Sequence, residues 1–305
     1  MGRYILKRVA SSVVTIWFIM TLTFILMKSI PGDPFTSPRA MQPEVKAAVY
    51  AKYGLDKPMF EQYITYLKNY AKGDFGVSFK KIGLTTKQII EGGFPYSLKI
   101  GGWASLFIIV VGIFFGIVAA LRQNQFSDRV LMIISTLGAT IPSFVFATLY
   151  LYAFSKKLGW APSFGVGTWK HYVGPVLCIG MFSLSYVVRL TRTSVLDVLQ
   201  QDYIRTARAK GLSEFTVIGK HALRNALIPV VTYVGPMIAG IVTGSFVIEK
   251  VFGIAGIGSL FTTSILNRDY TLIMGVTVFF GVFLVVAVLI VDIVYVLIDP
   301  RIKYD

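Results

Sequence analysis

The sequence predicts an all-α membrane protein that crosses the bilayer six times. Three observations carry that expectation. The 305 residues are 55% hydrophobic with a mean hydropathy of +0.68, too apolar for a soluble chain of this length. Six windows near the length of a spanning helix run without a mid-span charge, at 9–27, 100–121, 130–154, 172–188, 230–248 and 272–297. Lysine and arginine also divide unequally between the segments that join them. With the N-terminus inside, the tail and short inner loops hold Arg3, Lys7, Arg8, Arg122, Arg129, Arg189, Arg192, Arg205, Arg208, Lys210, Lys220, Arg224, Arg301 and Lys303. The short outer loops hold only Lys156, Lys157, Lys170, Lys250 and Arg268. Both ends are therefore expected in the cytoplasm.

The first run follows Arg3, Lys7 and Arg8, as a signal peptide would. It is longer than a secretory core, however, and no small-x-small site follows in MKSIPGDPF, so it reads as an uncleaved anchor. Leu6 stands where myristoylation requires Ser or Thr. An outer insertion over 31–96 separates the anchor region 1–30 from the remaining spans in 97–305. PGDP opens the insertion. Tyr53, Phe60, Tyr63, Ile64, Leu67 and Tyr70 then recur at helical spacing and predict an amphipathic helix over Met59–Ala71, and GDFG reads as a turn. The insertion is either a cap folded on the outer helix ends or a docking surface for an extracytoplasmic partner, and the two are compatible.

Within the spans, the pairs Gly112 and Gly116, and Gly240 and Gly244, predict close helix contacts. Pro142 predicts a kink or break in the third span, because it lacks a backbone donor and clashes with the preceding turn. No span carries a mid-membrane ionisable group; Asp292 lies near the end of the last one. That disfavours a proton- or ion-coupled carrier, as does the lack of inverted halves with paired broken helices. The one Gly-Lys pair, Gly219-Lys220, precedes His221, and Glu214 stands where a phosphate-binding loop needs its first glycine. GIAGIG at 253–258 has the wrong glycine order for a dinucleotide loop. The chain is thus expected to hold no cofactor of its own, with any ATP and Mg²⁺ bound by another subunit. Its net charge of +15 follows from topology and anionic lipid rather than from nucleic acid. Cys178 stands alone, His171 and His221 fall on opposite sides, and no nucleophile, base or metal set converges. An enzyme or a metal site is not expected.

The inner loop 189–228 is the informative segment. Its first helix is expected over 195–210 and stops at Gly211, which can take the left-handed conformation. Ser213 is a natural N-cap, with Glu214 in the first turn of a second helix over 214–226. That helix places Phe215, Ile218 and Ala222 on one face and Lys220 and Arg224 off it, and Pro229 marks the return to the membrane. Two short helices at a glycine corner suit either a groove on a partner protein or the lipid headgroups.

This stretch resembles the EAA loop of binding-protein-dependent ABC importer permeases. The EAA triplet falls on Arg205, Thr206 and Ala207, and the distal element on the stretch from His221 to Arg224. Arginine replaces the glutamate, histidine the isoleucine, and arginine the proline, as is typical of the peptide-permease branch. RYILKR, PGDP, YGLDKP, GDFGVS, GSFVIEKVFGIAGIG, NRDY and IDPRIK extend the resemblance along the chain to the B-type membrane subunit of oligopeptide permeases; Ala255 departs from a frequent proline.

The resemblance implies a type I importer fold in a bacterial inner membrane. It also implies four kinds of partner: a homologous C-type permease forming a heterodimer, two cytoplasmic ABC ATPases, an extracytoplasmic peptide-binding protein, and peptide as cargo. In such importers ATP closes the ATPase pair, the loops move together and the spans alternate between inward- and outward-facing states. Ala207 and Gly211 would permit close approach to an ATPase groove. Leu212, Phe215 and Ile218 would add apolar contact, and Arg205, Arg208 and Lys210 charge. Candidate path residues are Thr140, Ser143, Ser183, Ser185, Tyr186 and Thr243, with interhelical hydrogen bonding as the competing role. Glu249 and Arg268, near the outer ends of spans five and six, are expected to pair as a gate, to touch the binding protein, or to form a plain surface ion pair. Dipeptides, glutathione or nickel complexes are alternative cargoes, and a stand-alone carrier is a more distant alternative.

Overall fold

The computed structural model describes residues 2–29 and 43–298. PGDP and most of IDPRIK, with Arg301 and Lys303, lie outside the described residues. The chain is helical almost throughout. α1 (Gly2–Ser29) is the expected anchor, and α2 (Pro43–Lys52) and α3 (Met59–Ala71) form a cap at its end. α4 (Thr86–Leu121) returns through the bundle, followed by α5 (Phe126–Thr140) and α6 (Ser143–Tyr150), which continues as a π-helical turn over Leu151–Lys157. α7 (Lys170–Leu199) leads into a polar corner built from α8 (Asp202–Ala209), α9 (Glu214–Thr216), a second π turn (Val217–Ala222) and α10 (Leu223–Ala226). α11 (Ile228–Val242), α12 (Phe246–Val251), α13 (Ile257–Leu266) and α14 (Tyr270–Ile298) complete the chain.

Among the described residues five apolar segments are long enough to cross a bilayer, and a sixth crossing exists if the α5–α6 pair counts as one broken span. The break is sharp: Phe126–Thr140 and Ser143–Lys157 are bent by 106°. Its cause is Pro142, which pushes the residue before it out of the helical region. Ile141 is extended, with φ −77° and ψ 121°. The expected kink is therefore an interruption, and no straight helix covers 130–154.

Three other expectations need correction. α4 begins at Thr86 rather than near 100, because Thr85 and Gln88 form a reciprocal capping box. Lys87 and Glu91, paired at 3.8 Å, make that stretch too polar for a hydropathy window to include it. α7 runs to Leu199, past the expected end at 188, so the first elbow helix is α8 alone. The fifth span breaks at Gly244, which has φ +98°. The short apolar helix α13 then follows, at ten residues too short for the span pattern to register.

α4 and α7 form the central and most extensive helix pair. Gly112 and Gly116 make it possible: a Cβ at 116 would stand 2.4 Å from Thr191 Cβ, and one at 112 would stand 2.7 Å from Val187 Cγ1. The second glycine pair behaves differently. Gly240 meets nothing within 4 Å, and a Cβ at Gly244 would run into the Glu249 carboxylate at 2.7 Å. One core, of Ile108, Val187, Val230 and Met237, joins α4, α7 and α11. Another, of Ile100, Tyr150, Cys178, Ile248 and Phe252, gathers the lone cysteine with residues of α4, α6 and α12.

The cap is seated by aromatic packing. α3 occupies the expected bounds, but its inward face carries Tyr63, Tyr66 and Tyr70 against Phe24, Met27, Tyr270 and Met274. Phe60, expected on that face, is 73% exposed. The GDFG turn forms with Gly73 and Gly76 at positive φ and the Gly76 amide donating to Asp74 Oδ1 at 2.9 Å. Buried Asp269 locks cap to bundle. It accepts from Ser78 Oγ, from the Phe79 amide at 3.1 Å and from the Leu272 amide at 3.4 Å in the first turn of α14.

Candidate functional site

The elbow between α7 and α11 is a small folded unit. Ile204, Ala207, Val217 and Ala222 are buried together and pack on Val198 and Leu199 at the end of α7. Val195 and Ala226 meet Ala120 at the end of α4. The corner is thus bonded to the central helix pair through apolar contacts, which is how a side-on push would reach the spans.

Gly211 makes the turn. Its φ is +78°. The Gly211 amide donates to the Arg208 carbonyl at 2.9 Å and the Leu212 amide to the Ala207 carbonyl at 3.4 Å. This two-bond pattern with a left-handed residue is a Schellman stop, and it satisfies carbonyls that the end of α8 would otherwise leave open. Ser213 starts the next helix as expected: its Oγ accepts from the Thr216 amide at 3.4 Å. Across the corner Arg208 grips Glu214 with two hydrogen bonds, Nε to Oε1 at 2.8 Å and Nη2 to Oε2 at 3.2 Å. That bond holds the Glu214 carboxyl below its ordinary value and raises the Arg208 guanidinium. Asn225 Nδ2 donates to Tyr203 Oη at 2.9 Å, closing the far side.

The π turn changes which residues point inward. With five residues between successive inward positions, Val217 and Ala222 are both fully buried. Phe215 is 88% exposed, so it does not share one face with buried Ala222 as expected. Ile218 and His221 are half-buried, while Arg205, Thr206, Lys210, Gly211, Leu212 and Arg224 are exposed. Ala207 is buried inside the elbow, so its role is internal packing rather than contact. Leu212 and Phe215 are left as exposed apolar side chains of the elbow, and Arg205, Lys210 and Arg224 are exposed cations of the same unit.

A second polar anchor, which sequence reading missed, supports the same end of the bundle. Arg192 on α7 reaches Asp128 in the first turn of α5, Nε to Oδ1 at 2.6 Å and Nη2 to Oδ2 at 2.8 Å. Asp128 Oδ2 also accepts from the Asn124 amide at 2.8 Å, fixing Asn124 at φ +63°. The sequence contained a signal: an aspartate in a helix's first turn after a polar RQNQ loop.

The path candidates are spread over α5, α6, α7 and the end of α11. Ser185 is buried, donates to the Met181 carbonyl at 2.8 Å and lies where Gly138 leaves space between α5 and α7. Thr140 and Thr243 bond back to carbonyls of their own helices, at 3.0 Å to Thr136 and 2.6 Å to Gly240, rather than between helices. Ser143 is exposed at the start of α6, and Ser183 is half-buried. Tyr186 stands 41% exposed and meets the Tyr233 ring on α11 at 4.3 Å.

The expected Glu249–Arg268 pair is not formed. Arg268 is exposed, whereas Glu249 is 1% exposed, which also removes it from any surface contact. Its carboxylate accepts from Ser97 Oγ at 2.7 Å and from the Ser259 amide at 3.0 Å in the first turn of α13. Ser97 Oγ in turn accepts from the Ile257 amide at 2.9 Å. Glycines surround the carboxylate because side chains cannot: a Cβ at Gly256 would stand 2.4 Å from Oε2, and one at Gly258 3.0 Å from it. The glycine pattern that fits no nucleotide loop is the cradle of this buried acid, which stabilises the start of α13.

Comparisons with known proteins agree with this architecture. Residues 112–304 match the family described as binding-protein-dependent transport system inner membrane component, and residues 1–91 match its N-terminal membrane component. The chain is 45% identical to the oligopeptide transport system permease protein OppB of Haemophilus influenzae, over the whole of both chains. It is 46% identical to the dipeptide transport system permease protein DppB of Bacillus subtilis, over 99% of this chain and 98% of that one. A chain of the MetNI methionine ABC transporter, solved facing inward, superposes with a TM-score of 0.59 at 15% identity, covering 70% of this chain and 97% of that one. That likeness gives the fold of a type I ABC importer membrane domain. The chain belongs to the binding-protein-dependent transport system inner membrane component family.

Proposed function

We propose that this chain is one of two membrane-spanning permease subunits of an ATP-driven oligopeptide importer in a bacterial cell membrane. Both termini lie in the cytoplasm, and the elbow docks on a separate ABC ATPase that binds the ATP and Mg²⁺; this chain has no ATPase site. The observation that carries the reading is the elbow itself. Its inner face is packed against α7 and α4, while Leu212 and Phe215 are left uncovered at the tip, and Arg205, Lys210 and Arg224 of the same elbow are exposed. Such a tip suits an apolar groove with an acidic rim, and the Gly211 corner and the Arg208–Glu214 grip keep it from folding away under load. The end-to-end likeness to oligopeptide and dipeptide permeases supports peptide as the cargo.

The second permease would lie against a face that this chain leaves open. Ile228, Thr232, Pro236 and Gly240 recur every four residues on α11 and are all exposed. A heterodimer built there would place Tyr186 and Tyr233 beside the path. An extracytoplasmic binding protein would deliver peptide at the cap end.

Reconstitution with the second permease, ATPases and binding protein tests the proposal. Gly211→Val should leave ATP hydrolysis running while peptide uptake falls by about tenfold or more, because a β-branched residue resists positive φ. Wild-type coupled uptake in that variant would refute it. Competition between dipeptides and longer peptides distinguishes the two cargoes named by the relatives.

A further inference from the structure

The geometry points to a phospholipid site at the cap end, with an amine-bearing phosphodiester headgroup held between Lys28 and Asp74 and an acyl chain laid over α1 and α3. A cavity of about 420 Å³ opens between the end of α1, the cap and the start of α14. That size lies within the range of small-molecule sites. Its walls are aromatic, including Tyr66, Tyr70, Phe75 and Phe79, and Lys28, Asn69 and Asp74 line it as well.

Two of its polar groups lack the partners their chemistry calls for. Lys28 is half-buried, and among the described residues its ammonium reaches Gln62 Oε1 at 2.5 Å and the face of Phe24 at 5.9 Å. None of the ion pairs among the described residues includes it. Tyr66 Oη is buried with no hydrogen-bond partner among the described residues. A desolvated cation and an idle hydroxyl donor together favour an anionic oxygen. Asp74 on the same wall has one oxygen engaged by the Gly76 amide, and it gives a headgroup amine a carboxylate to meet.

The second half of the site makes the ligand a lipid rather than a free anion. Phe24 also lines an adjoining depression of about 340 Å³, whose other walls are Thr21, Ile25, Met59, Phe60 and Tyr63. It continues onto the outward stripe of α1, where Leu22, Ile25 and Leu26 are 44%, 46% and 57% exposed. Met59 and Phe60, at 52% and 73% exposed, extend it from the start of α3. A polar cavity with a cation, joined through one phenylalanine to an apolar trough on a spanning helix, has the shape of a lipid headgroup and its chain.

Native mass spectrometry of the full chain, purified with its accompanying subunits and titrated with phosphatidylethanolamine or phosphatidylglycerol, tests the site. Wild type should retain one phosphatidylethanolamine. Lys28→Met should lower retention of both lipids by about tenfold, the loss of one charge-assisted contact. Asp74→Asn should lower phosphatidylethanolamine alone. Phe60→Ser, at an exposed position that does not threaten folding, should weaken retention by about threefold through the chain. Retention unchanged in both Lys28→Met and Phe60→Ser would overturn the site. Displacement of the bound lipid by a free tripeptide would also overturn it, by assigning the cavity to peptide.

Discussion

At position 211 the obstacle to a side chain is the backbone, not space. Nothing lies within 4 Å of a Cβ built there, but φ is +78°. Gly211→Ala should therefore cost about 1–2 kcal/mol, and Gly211→Asn less, as judged by thermal unfolding of the purified complex. Glu214 gives a pH signature. Its folded value is depressed, so the grip is complete above the ordinary 4.5 and weakens only as pH falls through the lower folded value. Amide exchange at Leu212 and Ser213, corrected for intrinsic rates, should stay constant from neutral pH down to that range and then rise. Glu214→Gln should remove the dependence. Position 256 shows the opposite limit to 211, since its Cβ has nowhere to go: Gly256→Ala meets Oε2 of Glu249 at 2.4 Å and Ser97 Oγ at 2.6 Å. Overpacking of this kind costs about 1–3 kcal/mol. The same unfolding measurement should place Gly256→Ala below Gly219→Ala, whose site is open.

Among the elements, the Asp128–Arg192 tie should behave as a unit. The Asp128 side chain is 4% exposed and that of Arg192 21%, so removing one partner strands the other. Arg192→Met should destabilise by about 3–5 kcal/mol, and adding Asp128→Ala should recover part of that loss, a non-additivity that a double-mutant cycle reads directly. The same scale shows what a sequence can carry. α3, the Gly211 stop, the Ser213 cap and the Pro142 break are local events, each set by a few neighbouring residues, and all four were legible. The shared face of Phe215, Ile218 and Ala222 was not, because the π turn replaces a spacing of four by five and buries Ala222 with Val217 while Phe215 stays exposed. α13 was hidden by length, and the early start of α4 by its charged first turns. Glu249 and Asp269 were misread or overlooked because their partners lie 152 and 191 positions away in the chain.

For the whole molecule, hydropathy was enough for an all-helical membrane architecture, of five spans or of six if the α5–α6 pair is one, yet it could not say which surfaces stay bare once it folds. The exposed line on α11 and the elbow tip are visible only in three dimensions. The cap has a different status. One carboxylate, Asp269, both opens α14 and pins the Ser78–Lys80 turn. The cap and the last span are therefore bolted into a single rigid piece. Any opening at that end must flex elsewhere, at the joints near Asn124, Pro142 or Gly244. Spin labels on exposed Lys72 and Phe126 should change their separation if those joints move, whereas a label pair joining Lys72 to the first turns of α14 should keep one fixed distance through the whole transport cycle.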